Sequence, residues 1–479
     1  MMKAFRAIVF LTFRNALRSH VFQLLLALLL LAVTLIPVSV SVGRAEEFIR
    51  ISLLYSLWAV SIVLALSSLW LGCFVMSRDI DDYRIHMVVS KPVSRVTLWL
   101  GKWTGINLIH LALLLISGLT VYGIVMHRYR TAGEESRYAE RQSERARTAA
   151  EQEHIRTKIL VGRRSYSPRP PDAEAVADAE VGRRAAEANR KGTPLSDGEL
   201  RTLREDIVRR VTGAPLEVRP GQPTPQAWVF ENVPVRLNDI AMYLRYRPYL
   251  GKVSSEDQRQ TYLWWEALMP QVNPETGKFA LYPRALSPAP EQVFSGAFLE
   301  KVLPRGAVAP DGRVIVLVSN FDRYGAKHYY QRADGPKLLV PVCSFEENFL
   351  RGLMVMTIQL LLLSGLACAF GGFLTMPTAV FMVASYLLFG SFSMILTDSE
   401  FFADSALDHF SQLLARGILL VVIPLQKFDI TDLLAGGDLI EFSLIGELFL
   451  QYFVLRGAPL FLLGVWLYRR REMGAAVRK

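Results

Sequence analysis

The sequence predicts an α-helical polytopic membrane protein with six transmembrane helices. Between the third and fourth it predicts a large extracytoplasmic α+β domain, helices followed by a β-sandwich-like part. Three observations carry this. Of 479 residues, 51% are hydrophobic. Four stretches contain no Asp, Glu, Lys or Arg: Val21–Gly43, Ile51–Ser77, Trp103–Met126 and Gly352–Thr397. Between the third and the fourth lies a polar segment, 127–351, too long to be a loop.

A helix needs about 20 apolar residues to cross the hydrocarbon. The first three stretches each suffice for one crossing. The fourth is long enough for two, broken at Gly371-Gly372-Phe373-Leu374-Thr375-Met376-Pro377. A sixth span, 442–468, is interrupted by Glu447 and Arg456. The run 417–426 is too short to span and reads as interfacial or re-entrant, within a segment 398–445 that would join the fifth and sixth spans.

Orientation follows from the basic residues. Residues 1–20, the connection 78–102 and the tail 469–479 hold fourteen Lys and Arg against four acids, which accounts for the whole net charge of +10. The stretch 398–447 holds nine acids and two bases. Six spans put every basic segment and both termini in the cytoplasm, and residues 127–350 outside. The basic balance is therefore an orientation signal, aided by anionic lipid headgroups, and nucleic acid is not an expected partner.

Lys3, Arg6, Arg14 and Arg18 fall on one arc of a helical wheel, with Phe5, Val9, Thr12 and Ala16 opposite. This reads as an amphipathic helix in the inner interface. A cleaved signal peptide is the alternative, although Val21–Gly43 exceeds the usual apolar core of about 7–15 residues.

The domains expected are 1–126 (interface helix and three spans), 127–225 (helical segment and Pro-rich linker), 226–348 (mostly β) and 349–479 (three spans). The helical segment is charged and Ala-rich, and Ser196 three residues before Glu199 makes a capping box. In the β part, Asp311-Gly312 and Asp334-Gly335 are turn signals beside apolar runs. Trp228, Trp264 and Trp265 could line a ligand site, but core packing is the preferred reading.

No catalytic, cofactor or metal pattern stands out. There is no His-Glu-x-x-His, no Gly-x-Ser-x-Gly and no phosphate-cradling Gly-x-x-x-x-Gly-Lys loop. Cys73, Cys343 and Cys368 suggest no disulfide, and His110 reads as a hydrogen-bonded interior residue. Arg456 is a candidate intramembrane functional residue or tether, too far from Glu447 to pair with it.

That leaves the connection 78–102, RDIDDYRIHMVVSKPVSRVTLWLGK. Its mixed charge suits a reversible polar interface. It resembles the second-to-third-span connection of type-two ABC exporter permeases, matching at Arg78, Asp79, Ser90, Lys91, Pro92, Arg95, Gly101 and Lys102. That family usually has Glu where Asp79 stands and often Thr where Ile85 stands. The amphipathic start, the closely spaced fourth and fifth spans, Pro424 with Phe428-Asp429, and the terminal Tyr468-Arg469-Arg470-Arg471-Glu472 agree with it. The resemblance covers 1–126 and 345–479 and leaves out the large outer segment. It implies a permease subunit paired with a second permease, as a homo- or heterodimer. A separate ATPase subunit would be engaged through Arg78, Asp79, Asp82, Arg84, Ser90, Lys91, Pro92 and Arg95. ATP hydrolysis would reside in that partner. The outer domain would handle an amphiphilic cargo or dock an outer partner. The rival reading is a membrane-anchored sensory or structural protein, and an integral membrane hydrolase comes third.

Overall fold

The computed structural model describes residues 2–18, 20–39, 45–81, 93–132, 141–170, 172–191, 196–213, 216–222, 224–250, 260–272, 279–322, 325–331, 334–398, 413, 417 and 422–470. The chain divides into two compact units, Met1–Gly162 with Cys343–Lys479, and Arg163–Val342.

The first unit is helical. In order it holds α1 (Met2–Leu17), α2 (His20–Ser39), α3 (Ala45–Asp81), α4 (Arg95–Thr131) and α5 (Arg141–Lys158). After the second unit come α6 (Phe345–Gly371) and α7 (Met376–Asp398), then a short 3-10 turn, Leu425–Phe428, and α8 (Thr431–Ala435). The last helix, α9, runs Phe442–Arg470. Among the described residues four helices are long and apolar enough to cross a membrane: Ala45–Arg78, Arg95–Thr131, Phe345–Gly371 and Phe442–Arg470. A fifth joins them if α1 and α2 count as one bent span.

Apolar side chains gain little by leaving lipid for one another, so membrane helices associate through close approach and polar contacts. The seam between α3 and α6 shows both. Ser77 Oγ donates to the Gly371 carbonyl at 3.1 Å and Ser68 Oγ to that of Leu360 at 3.4 Å. A Cβ on Gly371 would lie 2.9 Å from Cys73 backbone, so only glycine permits this crossing. On another side of α3, Ser67 Oγ meets His110 Nε2 of α4 at 3.0 Å, and His110 Nδ1 meets the Ile106 carbonyl at 2.9 Å. His110 is thus a satisfied interior residue.

The helix α1 packs along α4. Phe5, Ile8, Val9, Thr12 and Ala16 are half-buried, whereas Lys3, Arg6, Arg14 and Arg18 are exposed. Its seat is Gly101-Lys102-Trp103-Thr104-Gly105, a small-x-x-x-small pattern. A Cβ on Gly101 would meet Ile8 Cγ2 at 2.8 Å, and one on Gly105 would meet Thr12 Cβ at 2.7 Å.

Residues Leu448–Gly457 of α9 form a π-helix. Pro459 explains its position. Proline has no N–H for the Leu455 carbonyl and its ring crowds that carbonyl, and a wider turn relieves both. The Ala458 N–H accordingly reaches back five residues to Phe453 O.

The second unit is β-rich. Its strands are β1 (Val161–Tyr166), β2 (Leu216–Val218), β3 (Gln226–Phe230), β4 (Met242–Tyr246), β5 (Tyr249–Leu250) and β6 (Gln260–Val272). They continue with β7 (Phe279–Ala285), β8 (Glu291–Phe294), β9 (Leu299–Leu303), β10 (Val314–Asn320), β11 (His328–Tyr330) and β12 (Lys337–Ser344). One sheet has the order β1-β12-β4-β9, a second β3-β10-β6-β7 with β8 also on β6, and a small third β2-β11-β5. Residues of the first two sheets share one apolar core, with Leu244 and Tyr246 on one side and Trp228, Trp265 and Val316 on the other. Two further helices, Ala173–Arg190 and Asp197–Gly213, pack against each other and are charged over most of their surface. Ser196 and Glu199 make the expected capping box, with Ser196 N–H donating to Glu199 at 2.9 Å.

Strand β10 shows why this half was legible. Its alternate residues Val314, Val316, Val318 and Asn320 are buried, the period-2 signature of a sheet with one inward face. The two Asp-Gly turns put Gly312 at φ +77° and Gly335 at φ +110°, where side chains are strained. Strand β1 was not expected: Val161-Gly162-Arg163-Arg164-Ser165-Tyr166 falls between the two charged helical stretches, within the segment 127–225 expected to hold helices and a linker. It is a strand because it pairs with β12 at the edge of the first sheet, and the burial of Arg163, 1% exposed, is offset by Glu300 of β9 at 3.2 Å.

Candidate functional site in the membrane unit

Two places gather the residues that the sequence singled out. The first is the end of the helical unit where α3 stops, α4 starts and α9 finishes. Ser94 caps α4, its Oγ accepting from Thr97 N at 3.1 Å. Arg95, the first residue of α4, donates from Nη1 to the Arg469 carbonyl at 2.6 Å, which ties the start of α4 to the end of α9. The Arg78 guanidinium lies over the Phe74 ring, 5.2 Å from its centroid. Arg78 and Asp79 belong to the last turn of α3. Asp82, Arg84, Ser90, Lys91 and Pro92 lie outside the described residues.

Lys102 behaves unlike its neighbours in the same motif. It is 5% exposed, and its Nζ donates to the Val75 carbonyl of α3 at 2.9 Å. The Gly-Lys pair is therefore structural here: the glycine seats α1 and the lysine ties α4 to α3.

Deeper along α4 is a polar knot. Trp103 Nε1 donates to Ser364 Oγ at 3.0 Å, Ser364 Oγ to Asn107 Oδ1 at 2.9 Å, and Asn107 Nδ2 to the Trp103 carbonyl at 2.8 Å. The knot borders a groove of about 260 Å³ between α4 and α6, lined also by Leu108, Leu111, Thr357 and Leu360. Nothing in the spacing of Trp103, Asn107 and Ser364 could have announced it, since the partners lie 257 residues apart.

The second place is Arg456. It lies in the π-helix, where its Nη1 donates to the Val422 carbonyl at 3.1 Å and its guanidinium sits 4.8 Å from the Tyr452 ring centroid. Val422, Ile423 and Pro424 are buried yet not helical. Non-helical backbone at membrane depth survives only inside protein or against a wet cavity. Val422, in the run read as interfacial or re-entrant, supplies the carbonyl that meets Arg456.

In the second unit Trp228 and Trp265 are buried, with Trp265 4.6 Å from Tyr246 between ring centroids, and Trp264 is only half-buried. Trp228 and Trp265 fill the core, as the sequence suggested; Trp264 does not, because it alternates to the other face of β6. Burial alone would raise the Glu300 carboxyl, but Arg163 and Arg245 more than offset it and hold the group below the usual carboxylate range. Burial pushes His328 down to about 4; its Nε2 lies 2.6 Å from Thr261 Oγ1.

Among the described residues no cluster of three or more His, Cys, Asp or Glu could hold a metal ion, and Cys73, Cys343 and Cys368 are free thiols. No protein-family model matches the sequence, and no curated protein matches it.

Proposed function

We propose that the chain is the permease subunit of an ABC-type exporter in the cytoplasmic (inner) membrane of a bacterium. In this reading it makes six spans, with both termini cytoplasmic and 127–350 outside, and moves an amphiphilic, lipid-like or polymer-like substrate. It pairs with a second permease and is driven by a separate ATPase subunit.

The observation that carries the reading is the end where α3 stops at its charged last turn and Arg95 at the start of α4 bonds the Arg469 carbonyl at the end of α9. Helices α3 and α4 have 37 residues each, or about 55 Å at 1.5 Å per residue, against a hydrocarbon thickness of about 30 Å. Both therefore reach beyond the bilayer. The charged connection between them is held at its base by the Arg95–Arg469 contact. The resemblance at Ser90, Lys91, Pro92 and Arg95 supports an ATPase as the partner that docks at this end.

Deleting 90–95, or reversing the charge at Arg78 or Arg84, should leave membrane insertion intact and abolish ATPase stimulation by the reconstituted pair. Unchanged transport-linked hydrolysis after the deletion would sink the docking role. In a Cys343→Ser background, single cysteines at Ser136 and Ser196 should react with an impermeant thiol reagent on intact cells, and one at Ala476 only after permeabilisation.

A further inference from the structure

We infer that Arg456 is the docking point for the oxyanion of an amphiphile, a phosphate or carboxylate borne on an apolar chain, at the middle of the membrane. The inference rests on the transporter reading only for calling that amphiphile cargo.

Three helices agree on the depth. Arg456 stands midway along α9, fourteen residues from Phe442 and fourteen from Arg470. A Cβ on the adjacent Gly457 would lie 2.7 Å from Leu362 Cδ1, in the central third of α6. Tyr386, near the middle of α7, lies within electrostatic reach of the same guanidinium.

The charge at this depth is incompletely answered. A guanidinium offers five N–H donors. Among the described residues one is taken, by the Val422 carbonyl, and the Tyr452 ring adds a cation–π contact. Both partners are neutral. A fixed charge at the bilayer centre costs about 2.5–3.5 kcal/mol on insertion scales, and neutral dipoles reduce that cost without cancelling the charge. Glu447, the acid on the same helix, stands nine residues away, at the other end of the π-helical stretch. Arg456 itself is only half-buried, so the remaining donors can be reached.

The surroundings define what can reach them. Phe449, Leu450, Leu455 and Leu462 of the same helix are exposed, which gives an apolar chain a surface to lie on. The planar fork of a guanidinium matches carboxylate and phosphate in two parallel hydrogen bonds, and repels an ammonium. A π-helical turn beside buried irregular backbone is also where membrane transporters place polar sites.

The test uses the whole chain purified in maltoside micelles, with dodecyl phosphate as probe and dodecyl trimethylammonium as control, read by native mass spectrometry. Wild type should bind one dodecyl phosphate at least tenfold more tightly than Arg456→Leu, about the loss of one charge-assisted hydrogen bond, and show no saturable site for the ammonium. Arg456→Lys, which keeps the charge and the Val422 tether but loses the fork, should fall between them. If the leucine variant does not fold, wild type against the lysine variant decides. No saturable phosphate binding by wild type, or equal binding by all forms, would overturn the site and leave Arg456 a tether to Val422. A phospholipid that copurifies with wild type and is lost in Arg456→Leu would identify the source as a resident lipid. Binding of added probe without such a lipid would identify an entering cargo. If binding is intact but no ATP-driven movement occurs in proteoliposomes, the transporter reading fails and the site stands.

Discussion

In the β-rich unit the interior is filled by large rings, with Trp265 against Tyr246 and Trp228 edge-on to Tyr330. In the helical unit helices come close where side chains are smallest, as at Gly72, Gly101, Gly105, Gly371 and Gly464. The difference follows from the solvent each unit excludes. Water drives apolar area together at roughly 25 cal/mol per Å², so bulk in the core is stabilising. Lipid offers no such drive, so membrane helices rely on contact area and hydrogen bonds gained by bringing backbones near.

The sharpest way to break this comparison is Trp265→Ala beside Trp264→Ala. The first removes a buried ring and should cost about 3–5 kcal/mol, read as rapid proteolysis within 163–342. The second removes a half-buried one on the opposite face of β6 and should cost clearly less. Equal costs would mean that the β unit is not held by its interior.

Next in size is pH. Burial keeps His328 neutral down to about 4, below its ordinary 6.5, so the unfolded chain takes up the proton first as pH falls. Its contribution is complete above about 6.5 and declines by about 3 kcal/mol as pH falls to 4. Glu300, held below the usual carboxylate range, loses its contribution in the same direction at lower pH. Hydrogen-exchange protection of β6 and β10 should therefore drop between pH 6.5 and 4.5. An identical slope in His328→Gln would show that another group is responsible.

In the membrane unit the informative change runs from small to large. Gly101→Leu should wedge α1 from α4 and cost about 1–3 kcal/mol, read as a lower melting temperature in detergent and faster proteolysis before residue 20. A variant with wild-type melting would mean that α1 is not seated there. The smallest effect is expected for Ser77→Ala. Loss of its hydrogen bond to Gly371 should cost about 0.6 kcal/mol, a shift near the limit of measurement.

Much of this molecule was legible because its signals are local. The helix break before Pro377, the Ser196 capping box, the alternation in β10 and both Asp-Gly turns are dictated by neighbours in sequence. The apolar lengths of α3, α4, α6 and α9 follow from composition alone, and Arg456 was conspicuous as a charge in one of those runs. What only the tertiary structure decided is where partners are distant. Arg163 can be buried because Glu300, far along the chain, neutralises it. Lys102 turns inward because the Val75 carbonyl of another helix lies within reach. Among the described residues, Arg456 takes its hydrogen bond from a buried non-helical segment 34 residues earlier. A hydrogen bond or buried charge is settled by whichever group the fold brings to it, and nothing in the local chain encodes that group.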